Sequence, residues 1–326
     1  MTPARVLAVD VGGTKLAAAV VAADGTIPAR AQVGTPTSTD PSVVAGAVRR
    51  LLDDVLAAAS ARGMAERLVG LGIGSAGPVD PVAGTVSPVN IPAWRRFPLV
   101  EALRPVLPGR PTVLAGDGNC MALGEYWQGK AGGSALLGMV VSTGVGGGLV
   151  VDGRVYFGGT GNAGHVGHLV VDLDGERCAC GGRGCVETMA SGPSMVRWAV
   201  AHGWSTVDGS PADARALARD ARRGHPAARE ALQRAANALA AAIVSAAALV
   251  DLDEVVIGGG VARAGDVLFQ PLLAALSDRA GFDFVRRVRV SRSVLDGDAG
   301  LLGAAALALD CAGMKVAPAN IRGQDS

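Results

Sequence analysis

Twice along this chain an apolar run stops at a cluster of glycines and a second apolar run follows at once. Residues 5–11 lead into Gly12-Gly13-Thr14-Lys15 and on to residues 16–21, and residues 137–142 lead into Thr143-Gly144-Val145-Gly146-Gly147-Gly148 and on to residues 149–152. Short apolar runs joined by glycine turns read as hairpins, and one such unit in each half of the chain points to a duplicated fold. The order strand, turn, strand excludes a Walker phosphate loop, which needs a longer glycine loop, a Lys-Ser/Thr pair and a helix directly after it. A third cluster, Gly258-Gly259-Gly260, follows an apolar run at residues 254–257. None of the three completes Gly-x-Gly-x-x-Gly, since Leu149 and Arg263 stand where the last glycine would be, so a dinucleotide fingerprint is also excluded.

Between these units the spacing of apolar residues predicts further elements. Residues 41–62 carry Val44, Val48, Leu51, Leu52 and Val55 on one helical face, after the cap-and-proline start Asp40-Pro41. Residues 68–73 read as a strand ending at Gly74-Ser75-Ala76-Gly77-Pro78-Val79-Asp80, and residues 112–115 as a strand ending at Gly116-Asp117-Gly118-Asn119, with a helix through 122–127. A helical stretch is expected from Pro193 to about Val250, with a basic, solvated part near Arg215 to Arg229. Gly300-Leu301-Leu302-Gly303 is expected to open a last helix over 304–309, and the polar tail from Lys315 is expected to be disordered.

A chain of 326 residues has room for two domains. Its 49% hydrophobic and 18% charged content predicts well-packed cores, and the abundance of alanine and glycine predicts close backbone packing. With 30 basic and 29 acidic residues, nothing in the charge asks for nucleic acid or an anionic membrane. The longest apolar stretch, residues 235–250, falls short of the roughly 20 residues of a bilayer span and reads as a buried helix. No signal peptide is read at the start, and the odd cysteine count fits a reducing cytoplasm.

Three of the five cysteines lie within Cys178-Ala179-Cys180-Gly181-Gly182-Arg183-Gly184-Cys185, ten residues after His168. Three thiolates and an imidazole are the donor set of a closed tetrahedral zinc site, and the intervening glycines let the backbone fold tightly around one ion. Unpaired thiols or a redox pair are the alternative. The glycine turns offer backbone N–H groups to a phosphate, so Gly12 to Lys15 and Thr143 to Gly147 read as two jaws of a polyphosphate site. Asp10 and Asp117 each end an apolar strand beside glycine. A carboxylate there can hold magnesium through water or take a proton from an attacking hydroxyl, or it can simply cap a turn; spacing leaves these open.

These motifs, in this order, together with Gly167-His168 and Cys178-x-Cys180-x4-Cys185-x-Glu187, resemble the ROK family of sugar kinases and repressors over residues 5 to about 309. The resemblance implies an α/β fold, the two-lobed actin-like ATPase fold of hexokinase and ribonuclease H type, with sugar and ATP meeting in an inter-lobe cleft. Residues 1–116 plus about 304–326 would form the small lobe, and 117–303 the large lobe with the zinc loop. By resemblance Asp117 is the catalytic base. Asp10, Gly12, Gly13, Thr14 and Lys15 form the first phosphate loop, Thr143, Gly144, Val145, Gly146 and Gly147 the second, and Gly258, Gly259 and Gly260 the turn beside the adenosine. Gly77, Asn90, Gly116, Asp117, His165, His168 and Glu187 match the sugar site, and His168, Cys178, Cys180 and Cys185 the zinc ligands. ATP, Mg2+ and structural Zn2+ are the implied cofactors, and a small sugar the implied partner. A cytoplasmic homo-oligomer, dimer or tetramer, without nucleic acid or membrane, is expected.

Two positions depart from the family pattern. His165 stands where Glu-x-Gly-His is usual, and Gly116 stands where Asn-Asp is usual. A glutamate accepts from two hydroxyls, whereas a neutral histidine accepts through one nitrogen and donates through the other. The phosphate machinery therefore reads as intact and sugar recognition as altered, which brings an aminosugar, another hexose or a cyclitol beside the default, glucose. A sugar-sensing repressor is disfavoured because the first strand starts at Arg5, with no helix-turn-helix before it. A sugar-independent ATPase of the same fold would have no use for the cysteine loop.

Overall fold

The computed structural model describes residues 4–316; of the tail expected to be disordered, residues 317–326 lie outside the described residues. In chain order the elements begin with β1 (Arg5–Val11), β2 (Lys15–Ala22), β3 (Ala29–Gly34), α1 (Pro41–Ser60), β4 (Leu68–Ser75), β5 (Val79–Asp80) and β6 (Thr85–Val86). There follow α2 (Leu99–Leu103), β7 (Thr112–Gly116), α3 (Asp117–Gln128), β8 (Ala135–Val141), β9 (Val145–Val151) and β10 (Arg154–Val155). The chain continues with α4 (Glu187–Ala190), α5 (Gly192–Ala201), α6 (Ala214–Arg222), α7 (Pro226–Val250) and β11 (Glu254–Gly258). It ends with α8 (Asp266–Arg279), α9 (Asp283–Arg286), β12 (Arg289–Arg292) and α10 (Ala299–Cys311).

Two compact units form. Among the described residues, one comprises 4–131, 148–164 and 297–316; the other comprises 132–147 and 165–296. These boundaries fall elsewhere than at 116 and 304: α3 belongs to the first unit because it packs along α10, backbone against backbone. A Cβ added at Gly124 would overlap the Ala299 carbonyl, and one at Gly303 the Cys120 carbonyl. Gly303 and Gly300 are therefore inside α10, which starts at Ala299 rather than after the glycines, since glycine is what lets the two helices touch.

The first sheet has the order β3-β2-β1-β4-β7. β1 and β2 are antiparallel with Val11 opposite Leu16, while β4 lies parallel to β1 and β7 parallel to β4. This register aligns Asp10 with Gly74 and Ser75 with Gly116, so the carboxyl ends of three parallel strands meet at one edge. Helix α1 covers the sheet as its pattern predicts. Asp40 accepts from the Ser42 amide at 2.8 Å, Pro41 sits in the first turn, and Val44, Val48, Leu51, Leu52 and Val55 are all buried, each worth about 1.5–3 kcal/mol of burial.

The second sheet has the order β10-β9-β8-β11-β12 and repeats the first: β10 pairs antiparallel with β9, and β11 lies parallel to both β8 and β12. Its hairpin turn is tighter than expected. The Ser142 amide donates to the Gly144 carbonyl at 2.8 Å, so Val145, Gly146, Gly147 and Gly148 belong to strand β9 instead of the turn. The long helical stretch is broken into α5, α6 and α7 by the loops at 202–213 and 223–225. Helix α7 is long and apolar enough to cross a membrane by length and composition, but half of its most apolar window is buried inside the protein, as a core helix would be. Strands β3 and β12 and helix α8 carried no recognised signal: β3 ends in exposed residues, and β12 is a short polar edge strand.

Candidate functional site

In the first unit, the strand edge carries two carboxylates. Asp10 is the penultimate residue of β1, and Asp117 is the first residue of α3, directly after β7 ends at Gly116. Burial, and then the charge of Asp117, push the Asp10 carboxyl up to about 7 against the pull of Lys15. Burial pushes Asp117 up to about 6, opposed by the Gly118 amide that donates to its Oδ1 at 2.7 Å. Beneath them the buried Cys120 thiol is held protonated by burial and by both carboxylates. The Asp10 carboxylate lies against the first turn of α10, where a Cβ on Gly300 would sit 3.0 Å from its Oδ2. Two carboxylates whose proton affinity is raised, Asp10 by burial and by the charge of Asp117 and Asp117 by burial, are a fit for a divalent cation, whose charge would offset both.

The first glycine turn stands beside this pair. The Gly12 amide donates to the Lys15 carbonyl at 3.0 Å, closing the hairpin, and Lys15 opens β2. Thr35, just past β3, binds both sides of the turn: its hydroxyl donates to the Gly12 carbonyl at 2.7 Å and its amide to the Thr14 carbonyl at 3.2 Å. Thr35 was not legible in the sequence, because the residue comes from a neighbouring strand and not from the motif. Asn90 lies directly on Gly13, where a Cβ would come within 2.6 Å of its Nδ2. Gly77, in the segment after β4, accepts from the Val89 amide at 3.3 Å, which ties Asn90's neighbourhood to the strand edge. Gly116 is buried, and a Cβ there would stand 3.6 Å from the Asn119 amide nitrogen.

In the second unit, Glu187 begins α4 and its Oε2 accepts from the Val145 amide at 2.8 Å. A Cβ on Gly144 would be 2.6 Å from that oxygen, so glycine is required for the carboxylate to sit on the turn. Thr143 lies at the head of this turn, while Gly146 and Gly147 continue the strand. Gly258 ends β11. Gly259 has φ +91° and lies on the Val141 backbone, and Gly260 would bring a Cβ 3.6 Å from the Ser142 hydroxyl. At the carboxyl ends of β11 and β12 is a cavity of about 440 Å³, lined by Gly258 and Gly259 together with Arg263, Arg292, Val294 and Asp296. Of that lining, the sequence assigns only the two glycines to a site.

Also in this unit, His168 Nδ1 and the Cys178, Cys180 and Cys185 sulfurs all lie within 4.8 Å of one another. Cys178 Sγ is 3.7 Å from His168 Nδ1, and Cys180 Sγ is 3.7 Å from Cys185 Sγ. The thiols are free, with no disulfide among the described residues. Glycine shapes the loop: Gly181 has φ +93°, and Gly184 at φ +71° leaves no room for a Cβ against the Asp172 carbonyl. His165 stands one helical turn before His168, with ring centroids 6.2 Å apart, and is outside the four-ligand cluster.

The fold is α/β, that of the two-lobed actin-like ATPases. A model of the ROK family matches residues 6–311, and the chain belongs to that family. It is 34% identical to a glucokinase from Thermotoga maritima over 320 residues, covering 94% of this chain and 98% of the relative. It is 37% identical to an N-acetylmannosamine kinase from Citrobacter koseri over 305 residues, covering 93% and 98%. A ROK family glucokinase from Streptomyces griseus, solved with glucose and AMPPNP, aligns with TM-score 0.80 and 32% identity over 94% of this chain and 99% of the other.

Proposed function

We propose that this chain, an ATP-dependent sugar kinase, transfers phosphate to a primary hydroxyl of a hexose or hexose-like ring, with Asp117 as the base. The observation that carries the reading is the Asp117 carboxyl, raised to about 6 at the start of α3 beside Asp10. A base of that strength is ionised at neutral pH yet still takes a proton readily. As the sugar oxygen bonds to the γ-phosphorus, its proton passes to Asp117 and the bond to the bridging oxygen breaks, releasing ADP. The transition state is loose, so orientation of the hydroxyl matters more than strong basicity.

Magnesium, bound with ATP, would be held near Asp10 and would supply charge neutralisation on the phosphates. The Gly12-Gly13-Thr14 turn, with Lys15, is suited to phosphate oxygens, and so is the turn from Thr143 to Val145, continued by Gly146 and Gly147. Gly258, Gly259 and Gly260 are suited to the nucleoside. Gly77, Asn90, Gly116, His165, His168 and Glu187 are assigned to the sugar. The donor set of His168, Cys178, Cys180 and Cys185 fits a structural zinc ion, which would fix the loop that carries His165 and His168. Five free thiols are in keeping with a cytoplasmic location.

A second reading of the substrate, an N-acylated amino hexose, is favoured by His165 and Gly116. Histidine at 165 replaces a two-hydroxyl acceptor with a mixed donor and acceptor, and Gly116 leaves space next to the base. Relatives named N-acetylmannosamine kinase at 36–37% identity support it. ATP consumption with a panel of hexoses, N-acyl amino hexoses and cyclitols decides. A kcat/KM at least tenfold higher for an N-acyl amino hexose than for glucose establishes the second reading, the reverse ratio establishes glucose, and no sugar-dependent turnover sinks both. Elemental analysis of the same protein is expected to give one zinc per chain; none would remove the metal assignment.

A further inference from the structure

The cavity at the ends of β11 and β12 has a charge arrangement that the proposed transfer does not use. Its apolar wall includes Ile257, Ala262 and Val294, and its floor is the Gly258-Gly259 backbone. Two arginines line it, and both are already engaged. Arg263 forks onto Asp296, with Nη2 at 2.9 Å from each carboxylate oxygen and Nε at 3.2 Å from Oδ1. Arg292 binds Asp266 and lies over the Phe269 ring, 4.7 Å from its centroid. Asp296 is itself fixed, with φ +50° and its amide donating to the Ser293 hydroxyl at 3.0 Å.

We propose that the Arg263–Asp296 pair sets the class of phosphoryl donor, making this cavity a receptor for an uncharged nucleoside and turning inorganic polyphosphate away. The inference rests on the kinase reading and deepens it. A polyphosphate chain carries about one negative charge per phosphate and is held by free cationic groups. Here an entering anion meets arginines whose donors point at carboxylates, and meets Asp296 itself at the rim. A base and ribose bring no charge, and they match a volume of about 440 Å³ with apolar walls and a few fixed polar groups. Specificity of this kind lies as much in the repulsive element as in the attractive one.

The test is equilibrium binding by calorimetry of magnesium-ATP and of magnesium tripolyphosphate, at low salt and without sugar. The unaltered protein is expected to bind ATP at least tenfold more tightly than tripolyphosphate. Asp296→Asn uncovers the Arg263 charge, and asparagine tolerates the left-handed backbone at that position. This variant is expected to lower the ratio of ATP to tripolyphosphate affinity at least threefold. Combining it with Arg263→Gln is expected to remove that change. Arg263→Gln alone, which leaves Asp296 bare, is expected to weaken tripolyphosphate further. The proposal is overturned by equal binding of the two donors in the unaltered protein, by a smaller change in Asp296→Asn, or by a change that persists without Arg263. Because no sugar is present, a chain that binds ATP in this ratio but phosphorylates no sugar would refute the kinase reading separately.

Discussion

The two glycine hairpins are built on one plan and are set against different side chains. Each joins the first two strands of a matching pattern, β3-β2-β1-β4-β7 and β10-β9-β8-β11-β12, with parallel strands continuing from the hairpin's first strand. The first turn is braced by a neutral hydroxyl, that of Thr35, and stands beside two carboxylates whose proton affinity is raised chiefly by burial. The second is braced by a carboxylate, Glu187, bound directly to the Val145 amide. A repeated backbone therefore does not repeat a function. The side chains set against each turn decide what it can do.

The sharpest way to break this contrast is Asp117→Asn, which keeps the shape of the first site and removes its base. A fall in kcat of about 10²–10⁴ is expected, with sugar binding retained. Turnover within tenfold of the unaltered protein would move the base elsewhere. Glu187→Gln probes the other turn. If the carboxylate serves the sugar as well as the Val145 amide, the KM for sugar rises about tenfold, an increment of about 1.4 kcal/mol, while the KM for ATP stays within twofold. A rise in the KM for ATP alone would make Glu187 a brace for the turn and nothing more.

The third effect is on stability. Asp10 and Asp117 have folded-state pKa values of about 7 and about 6, above the ordinary 3.8. Between about pH 4 and pH 7 the folded protein thus binds more protons than the unfolded chain. Stability of the ligand-free protein is expected to fall as pH rises through that window, by on the order of 5 kcal/mol. Thermal unfolding at pH 5 and pH 7.5 measures it, and Asp10→Asn is expected to flatten most of the difference. An unfolding temperature that rises between those pH values in the unaltered protein and is unmoved by Asp10→Asn would show that burial does not hold these carboxyls protonated.

Much of the first unit was legible because its signals are local. The face of α1, its Asp40 cap and the glycine turn at Gly12 each depend on residues within a few positions of one another. The cysteine cluster was legible for the same reason, since its ligands crowd into one short loop after His168. The extent of the second turn was not legible. Glycines 146–148 look like turn residues, but strand pairing claims them once Ser142 and Gly144 have closed the hairpin. The glycines of α10 misled in the same way: they mark where α10 meets α3, a contact set by another part of the chain.

By itself the sequence determined which groups could do chemistry: two aspartates at strand ends, glycine turns with free amides, and three thiols beside an imidazole. These follow from residue type and short spacing, which need no knowledge of distant contacts. Tertiary structure alone decided how those groups behave. The pKa shifts of Asp10 and Asp117 arise because the parallel register of β1, β4 and β7 brings residues more than a hundred positions apart to one buried edge. The pairing of Arg263 with Asp296, 33 residues apart, is likewise a product of the fold. Burial and charge proximity are properties of the assembled chain, and they are what turn a carboxylate in a list of residues into a base.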